Sequence, residues 1–247
     1  MLQRPEADLL HIKLWKRLVE PCPKCRGSGS IAAPTDDPFD TRYSDCSCKR
    51  EVKRRCALMD ANIPKEYWGV LTWSMEHNLE LFEGHIVPYC ADLAAAAKEG
   101  RGVLMYGENG VGKTTFAAYI LARAQAEGYR VGYLLAHQLL AYTIEARSNT
   151  ALGDWLRDLV GADFLVLDEM GKEHKKSDSE FAAAELDTLL RMRRGNLKPT
   201  IMATNLNRVQ FNEGYGESIE SILKGSLQLH FEAGDHRATM ARRDGGK

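Results

Sequence analysis

The stretch that decides the fold reads Gly107-Glu108-Asn109-Gly110-Val111-Gly112-Lys113-Thr114. It follows an apolar run over residues 101–106, which predicts a strand, and it leads into a helical pattern over residues 113–127. Because glycine adopts backbone angles that other residues avoid, successive N–H groups of such a loop can converge on one anion at the positive end of the helix. The stretch therefore predicts a phosphate-binding loop between a strand and a helix.

Two side chains at the end of this phosphate loop (residues 107–114) predict a nucleoside triphosphate with Mg²⁺ as the ligand. Lys113 brings a positive charge to the β and γ phosphates, and the Thr114 hydroxyl is placed to ligate the metal ion. Thr115 and the loop residues before Lys113 are expected to contact the same nucleotide: Gly107, Glu108, Asn109, Gly110, Val111 and Gly112.

An acidic pair follows a second apolar run. Residues 164–167 predict a buried strand, and Asp168 and Glu169 come directly after it. In open α/β sheets the ligand lies at the carboxyl ends of the strands, so we expect both carboxylates to face the phosphates. Asp168 is then expected to hold Mg²⁺ through water, and Glu169 to orient and deprotonate the attacking water.

Asn205 ends a further predicted strand, over residues 200–204. Its amide is expected to reach the attacking water or the γ phosphate, which makes it a candidate catalytic residue together with Lys113 and Glu169. An asparagine after a strand is also a common turn former, and only its order after the two preceding motifs favours the catalytic role.

Strands and helices alternate through this region, which predicts an α/β P-loop fold. An alanine-rich helix is expected near residues 88–99, and strands are expected at residues 101–106, 130–136, 164–168, 200–204 and 227–231. Helices are expected at residues 113–127, 137–147, 153–160 and 178–194. Continuously apolar strands in such an alternation form a parallel sheet with helices on both faces.

Four of the six cysteines form two close pairs, Cys22-Pro23-Lys24-Cys25 and Cys46-Ser47-Cys48. Residues 21–50 contain few large apolar side chains, so they need an added constraint to fold. The spacing resembles a four-thiolate zinc ribbon, and we expect these four cysteines to hold Zn²⁺ in a structural site. Four ordinary thiols are the alternative. Cys56 could replace one ligand, whereas Cys90 is expected in the core.

Two domains are expected on this basis. Residues 1–60 contain an amphipathic helix over residues 6–20 and the zinc-binding segment, and residues 61–247 form the nucleotide-binding domain. The formal net charge is -1, so nucleic acid must be bound by local patches. Residues 42–55 carry six basic and two acidic side chains, which suggests nucleic acid, but a solvated helix face is the favoured interpretation. A cytoplasmic location without membrane contact is expected, because no stretch has the length and apolarity of a signal or membrane helix.

Residues 60–237 resemble the DnaC/IstB-like group of AAA+ ATPases, which comprises bacterial and phage replicative helicase loaders and transposition helper ATPases. The resemblance rests on the phosphate loop and on further motifs: Ile63-Pro64-Lys65-Glu66-Tyr67, Asp168-Glu169-Met170-Gly171, residues 190–194 ahead of Pro199-Thr200, Ala203-Thr204-Asn205-Leu206, and Gly234-Asp235-His236-Arg237. It implies ATP as the nucleotide and an ATP-dependent oligomer on single-stranded DNA. It also implies an N-terminal domain that binds a DnaB-like replicative helicase, and a nucleotide-sensing role for Arg237, for which a surface arginine is the alternative.

One motif departs from the family's pattern. Where the family usually carries Ser-Arg-Leu, whose arginine reaches into the neighbouring subunit's site, this chain has Ser221-Ile222-Leu223. Isoleucine cannot supply a cation, and the loss of an arginine finger costs roughly 10³ to 10⁵ in rate. We therefore expect weak ATP hydrolysis, unless a basic residue such as Lys224 or Arg208 substitutes.

Contacts to DNA are expected near the acidic pair. Lys172, Lys175 and Lys176 follow it, and Tyr142 lies in the helical segment before the third strand. Lysines bind phosphates without sequence preference and an aromatic ring stacks on bases, so these residues suit single-stranded DNA. A solvated loop is the alternative interpretation of the lysines.

Three functions fit these patterns. A helicase loader would assemble on single-stranded DNA and deliver or open a ring helicase. A transposition helper would assemble on duplex DNA and recruit a transposase, and a nucleotide-gated adaptor would bind ATP and scarcely hydrolyse it, as Ile222 indicates. The cysteine-bearing N-terminal segment favours the helicase loader.

Overall fold

The computed structural model describes residues 7–33, 42–73, 75, 78–171 and 179–232. Backbone contacts divide the chain into two compact units, Met1–Asp60 and Ala61–Lys247. A separate cluster of buried apolar side chains lies within each of them.

The first unit contains two helices and a two-stranded hairpin: helix α1 (Ala7–Leu18), strand β1 (Ser30–Ala32), strand β2 (Tyr43–Asp45) and helix α2 (Ser47–Asp60). The strands pair antiparallel, and α1 packs on α2. Val19, Val52 and two of the cysteines are buried between them, so the core is small and contributes little stability by itself. The hairpin was not predicted, because strands of three residues are too short to show an alternating pattern.

The second unit begins with short helical segments that lead to a five-stranded sheet. They are 3-10 turns at Lys65–Tyr67 and Val70–Thr72, helix α3 (Leu79–Leu81), a π-helical turn at Phe82–Ile86, helix α4 (Val87–Ala91) and helix α5 (Leu93–Glu99). The strands are β3 (Val103–Gly107), β4 (Val131–Leu135), β5 (Phe164–Met170), β6 (Thr200–Thr204) and β7 (Leu227–Phe231). The helices among them are α6 (Lys113–Ala126), α7 (Ala136–Glu145), α8 (Thr150–Val160), α9 (Ser179–Gly195) and α10 (Arg208–Ile222).

The five strands are parallel and lie in the order β4-β5-β6-β3-β7, which confirms the predicted α/β fold. On one face, Leu134, Leu165 and Met202 belong to a core with side chains from α7, α8, α9 and α10. Helix α6 packs on the other face, where the ring centroids of Phe116 and Phe231 are 5.1 Å apart. Within the described part of the chain, no helix combines the length and apolar character needed to cross a membrane.

One predicted helix is divided in the structure, and one observed helix was not predicted. The alanine-rich segment forms two helices because Asp92 leaves the helical conformation and its carboxylate caps α5, accepting a hydrogen bond from Ala95 N at 3.0 Å. Helix α10 was missed, since glycines within residues 208–222 oppose a helix by local propensity. Phe211, Tyr215 and Ile219 recur at helical spacing on one face, and their burial in the core outweighs that cost.

Arg193 joins the amino ends of two strands from the end of α9. Its guanidinium is buried and donates to the carbonyl oxygens of Val160 (2.7 Å), Ala162 (2.8 Å) and Pro199 (2.6 Å), and to Thr200 Oγ1 (2.9 Å). Burial lowers the pKa of Arg193 to about 9. Carbonyl dipoles thus compensate this buried cation and tie the connection before β5 to the connection before β6.

Candidate functional site

A pocket opens at the carboxyl ends of β3, β5 and β6, beside the first turn of α6. Nine of the predicted site residues line it: Asn109, Gly110, Gly112, Lys113, Thr114, Thr115, Asp168, Glu169 and Asn205. Tyr67 and Ala203 complete the lining. We call this space the nucleotide pocket, because the fold brings the phosphate loop, the acidic pair and the polar end of β6 to one place.

The phosphate loop turns because its glycines adopt positive φ angles, 150° at Gly107, 84° at Gly110 and 100° at Gly112. A Cβ atom on Gly107 would also lie 2.4 Å from the carbonyl oxygen of Phe231 on the neighbouring strand. Helix α6 starts directly after Gly112, so the amino end of the helix lies at the pocket. These features produce the anion-binding end predicted from the sequence.

Lys113 is buried, and its ammonium donates to main-chain oxygens of the loop itself. Nζ lies 2.8 Å from Gly107 O and 2.6 Å from Glu108 O. Gly107, Glu108 and Val111 are absent from the lining of the nucleotide pocket. Gly107 and Glu108 instead contribute the carbonyl oxygens that bind Lys113. Val111 O accepts a hydrogen bond from Asn78 Nδ2 at 2.9 Å, and this bond holds the loop from outside the pocket.

The acidic pair lies in an interruption of β5. The pairing of β5 with β6 shifts between Leu167 and Met170, and Glu169 has a φ of 57°, in the left-handed region. Leu165, Leu167 and Met170 all belong to the core on one face, although regular alternation would turn Met170 to the other face. Asp168 and Glu169 therefore form a bulge, and this bulge lets two consecutive carboxylates line the same pocket.

Thr204 fastens this bulge to the end of β6. Its buried hydroxyl donates to Met170 O at 2.8 Å and accepts a hydrogen bond from Leu206 N at 3.1 Å. Asn205 lies between Thr204 and Leu206, the two residues that the second of these hydrogen bonds joins. Its place in the pocket is consequently tied to that of Glu169, a link that the sequence motif alone did not indicate.

Three side chains around the acidic pair were not predicted. The Tyr133 hydroxyl donates to Asp168 Oδ2 at 2.6 Å, and His137 Nδ1 lies 4.0 Å from Glu169 Oε2. Burial, followed by the nearby Asp168 carboxylate, raises the pKa of Tyr133, so this hydroxyl stays protonated and acts as a donor. Tyr67 lines the pocket. The motif that contains Tyr67 was recognised by resemblance, but the sequence did not indicate that this residue lies at the pocket. Nor did it indicate that β4 pairs with β5, which brings Tyr133 to Asp168.

The four paired cysteines converge within the first unit. Their sulfur atoms all lie within 4.8 Å of one another, with 3.9 Å between Cys22 and Cys46 and 3.5 Å between Cys25 and Cys48. Zinc bonds of about 2.3 Å in a tetrahedral arrangement place sulfur ligands ~3.8 Å apart. Four thiols at these distances fit one Zn²⁺ ion and leave no open coordination position for a substrate.

Main-chain donors support this cysteine cluster (Cys22, Cys25, Cys46 and Cys48). Gly29 N donates to Cys25 Sγ at 3.3 Å, and hydrogen bonds from the backbone, first from Cys25, lower the pKa of Cys22. Such donors favour the thiolates that a metal ion requires. Cys56 lies outside the cluster as the structure describes it and packs against the first unit's core, whereas Cys90 is buried in the second unit.

The remaining predicted residues lie away from the nucleotide pocket or outside the described residues. Ile222 packs against the core of the second unit, and the ring of Tyr142 meets that of Trp155 at a centroid distance of 5.5 Å. Arg208 and Lys224 do not line the nucleotide pocket. Four further predicted residues lie outside the part of the chain that the structure describes: Lys172, Lys175, Lys176 and Arg237.

A protein-family model described as IstB-like ATP binding protein matches residues 87–221, which covers the phosphate loop, the acidic pair and Asn205. The chain belongs to this IstB-like ATP-binding family. The family resemblance inferred from the motifs is confirmed.

Two curated relatives of this chain come from insertion sequences. The ATP-binding protein of insertion sequence IS5376 from Geobacillus stearothermophilus is 31% identical over 128 residues, which cover 52% of this chain and 49% of the relative. That of insertion sequence IS21 from Pseudomonas aeruginosa is 26% identical over 157 residues, or 61% of this chain and 58% of the relative. The chain thus spans about half the length of the curated relatives it matches.

Solved structures with the same fold include replication proteins. The DnaC helicase loader superposes with a TM-score of 0.56 at 23% identity, covering 69% of this chain and 100% of that structure. The replication initiator DnaA bound to AMPPCP and single-stranded DNA gives 0.55 at 19% identity, covering 74% and 55% respectively. DnaI gives 0.52 at 17% identity, covering 69% and 94%. These likenesses show the fold of the IstB-like ATPase unit.

Replacing Lys113 with alanine should weaken ATP binding roughly tenfold or more. A charge-assisted hydrogen bond contributes about 1.5–3 kcal/mol, and each 1.4 kcal/mol is about a factor of ten in affinity. Titration with a fluorescent ATP analogue measures the change. Lys98→Ala, which removes an exposed lysine on α5, is the matched control and should bind as the wild type does. Equal affinities for all three proteins would contradict the assignment of the pocket.

Proposed function

We propose that this protein is an ATP-dependent helicase loader, which assembles on single-stranded DNA and binds a replicative helicase of the DnaB kind through residues 1–60. The nucleotide pocket carries the ATP-dependent part of this proposal, because the phosphate loop, Asp168, Glu169 and Asn205 line one space. The helicase part is favoured by the separate cysteine-bearing unit that precedes the ATPase unit. The same fold in a protein named a helicase loader supports this choice.

ATP hydrolysis in this proposal uses side chains that already face one another. Lys113 would exchange its bonds to the loop carbonyls for bonds to the β and γ phosphates. Thr114 and Asp168 would hold Mg²⁺, which stabilises the charge that develops on the phosphates. Glu169 would orient and deprotonate the attacking water, while the Asn205 amide contacts that water or the γ phosphate.

A missing arginine makes the proposed hydrolysis slow. At the motif that carries the family's inter-subunit arginine this chain has Ile222, an apolar side chain that packs against the core of its own unit. When copies of the chain associate, the neighbouring copy would therefore bring no arginine to the nucleotide pocket from this motif. Arg208 or Lys224 would have to supply the positive charge instead. Such slow turnover suits a protein whose ATP-bound state is the one that holds a partner.

A transposition helper is the second candidate function. Its support is specific, because the two curated relatives are ATP-binding proteins of insertion sequences. An ATP-gated adaptor that scarcely hydrolyses nucleotide is a third, motivated by Ile222. The helicase-loader proposal also includes a cytoplasmic location, a domain boundary between residues 60 and 61, and a nucleotide-sensing role for Arg237.

The partner distinguishes these functions. A loader should retain a replicative helicase during affinity purification with ATP, and should release it with ADP or when residues 1–60 are deleted. A transposition helper should ignore the helicase and retain a transposase from an IS21-type element on duplex DNA. Retention of the transposase alone would overturn the loader proposal. Lys113→Ala is the control, because it should remove the dependence on ATP without altering the first unit.

The purified chain should hydrolyse ATP slowly, and Glu169→Gln should slow it further by at least about 10²-fold, since a positioned general base contributes roughly 10² to 10⁴ in rate. Binding of ATP should be retained by this variant, because the phosphate loop is unchanged. Single-turnover assays with and without single-stranded DNA measure the hydrolysis rates of the wild type and of Glu169→Gln. Titration with the fluorescent ATP analogue measures their binding. Fast turnover by the wild type alone would contradict the role given to Ile222, and stimulation by DNA would argue against an adaptor.

Zinc should be present at one ion per chain and should be needed for the first unit to fold. Binding of Zn²⁺ contributes about 10 kcal/mol or more to small structural sites, and the core of this unit is too small to compensate its loss. Cys46→Ser should abolish stoichiometric zinc in elemental analysis and expose residues 20–60 to proteolysis. Cys56→Ser, outside the cluster, should keep the metal. Full zinc content in Cys46→Ser would refute the site.

A further inference from the structure

Tyr133 provides an unexpected support for the acidic pair. It lies on β4, on the face of the sheet toward α6, and its hydroxyl donates to Asp168 Oδ2 at 2.6 Å. The other oxygen of the same carboxylate, Oδ1, accepts from Glu169 N at 2.7 Å. Tyr133 and Asp168 are each only 3% exposed, so water competes little for either bond. Both oxygens of Asp168 are thus oriented by donors.

The backbone of Tyr133 is itself anchored by the start of the second unit. Tyr133 N donates to Ala61 O at 2.8 Å, and Asn62 Nδ2 donates to Tyr133 O at 2.9 Å. Asn62 adopts a φ of 59°, a conformation that asparagine tolerates better than most residues. Hydrogen bonds therefore hold both the N–H and the C=O group of Tyr133. This fixes the backbone from which the ring extends and limits the movement of the hydroxyl away from Asp168.

We propose that Tyr133 is a positioning residue for the magnesium ion: its hydroxyl holds the Asp168 carboxylate in the orientation that binds the metal. This inference rests on the proposed roles of Asp168 and Mg²⁺. An ionised carboxylate has about four acceptor sites, so two donors leave sites free for a metal-bound water. Outer-shell donors of this kind typically change metal affinity or activity 10- to 100-fold when they are removed.

Tyr133→Phe removes only the hydroxyl and so tests the inference. Mn²⁺ can stand in for Mg²⁺ at sites with oxygen ligands, and its binding to the protein with a non-hydrolysable ATP analogue can be followed by electron paramagnetic resonance. The Mn²⁺ affinity should fall about tenfold or more. Binding of the analogue in EDTA should stay at the wild-type value, because Lys113 and the phosphate loop are unchanged. In hydrolysis assays the Mg²⁺ concentration for half-maximal rate should rise by the same factor.

Two matched variants separate positioning from a general loss of structure. Tyr129→Phe removes a hydroxyl from a ring that packs against Phe164, away from the acidic pair, and should leave Mn²⁺ affinity unchanged. Replacing Tyr133 with 4-aminophenylalanine restores a donor at the same place and should recover most of the affinity. Mn²⁺ affinity within twofold of wild type in Tyr133→Phe would overturn the inference alone. A wild-type protein that binds no Mn²⁺ with the analogue would overturn the proposed magnesium site as well.

Discussion

In a regular strand Asp168 and Glu169 would point to opposite faces of the sheet, and only one of them could reach the nucleotide pocket. The bulge at the end of β5 removes this limit, since Glu169 takes a left-handed φ and Met170 then lies in the same core as Leu165 and Leu167. A left-handed conformation is costly for a residue with a side chain, and it persists where neighbouring contacts hold it. Thr204 makes one of those contacts through Met170 O, and the position of both carboxylates in the nucleotide pocket depends on this bulge.

Buried charged groups of the second unit are compensated mainly by the backbone and by hydroxyls. Lys113 donates to two loop carbonyls, Arg193 to four carbonyls, including that of Asp163, and to a threonine hydroxyl, and Asp168 accepts from an amide and from Tyr133. This arrangement has different consequences at the two ends of the sheet. At the amino end, Arg193 makes a permanent structural connection. At the carboxyl end, the loop carbonyls satisfy the ammonium of Lys113, and in the proposed function the phosphates of ATP would replace these carbonyls.

Local signals predicted a large part of this molecule. The apolar runs and the glycine pattern were sufficient to find the strands of the sheet, the phosphate loop and the acidic pair, because each signal spans only a few consecutive residues. Helix α10 and the break at Asp92 were mispredicted because packing and a side-chain cap overrode helix propensity there. Likewise, the convergence of Cys22, Cys25, Cys46 and Cys48 was predictable from spacing, but the short hairpin that brings the two pairs together was not.

The sequence by itself determined which residues are candidates for the chemistry: Lys113 and Thr114 on one loop, Asp168 and Glu169 after one strand, and the paired cysteines. Only the tertiary structure decided which other residues lie beside them. It placed β4 beside β5, so that Tyr133 meets Asp168, and it brought Tyr67 to the nucleotide pocket. The physical reason is that strand order and a ladder interruption depend on contacts between distant segments, whereas a motif records only the residues next to one another in the chain.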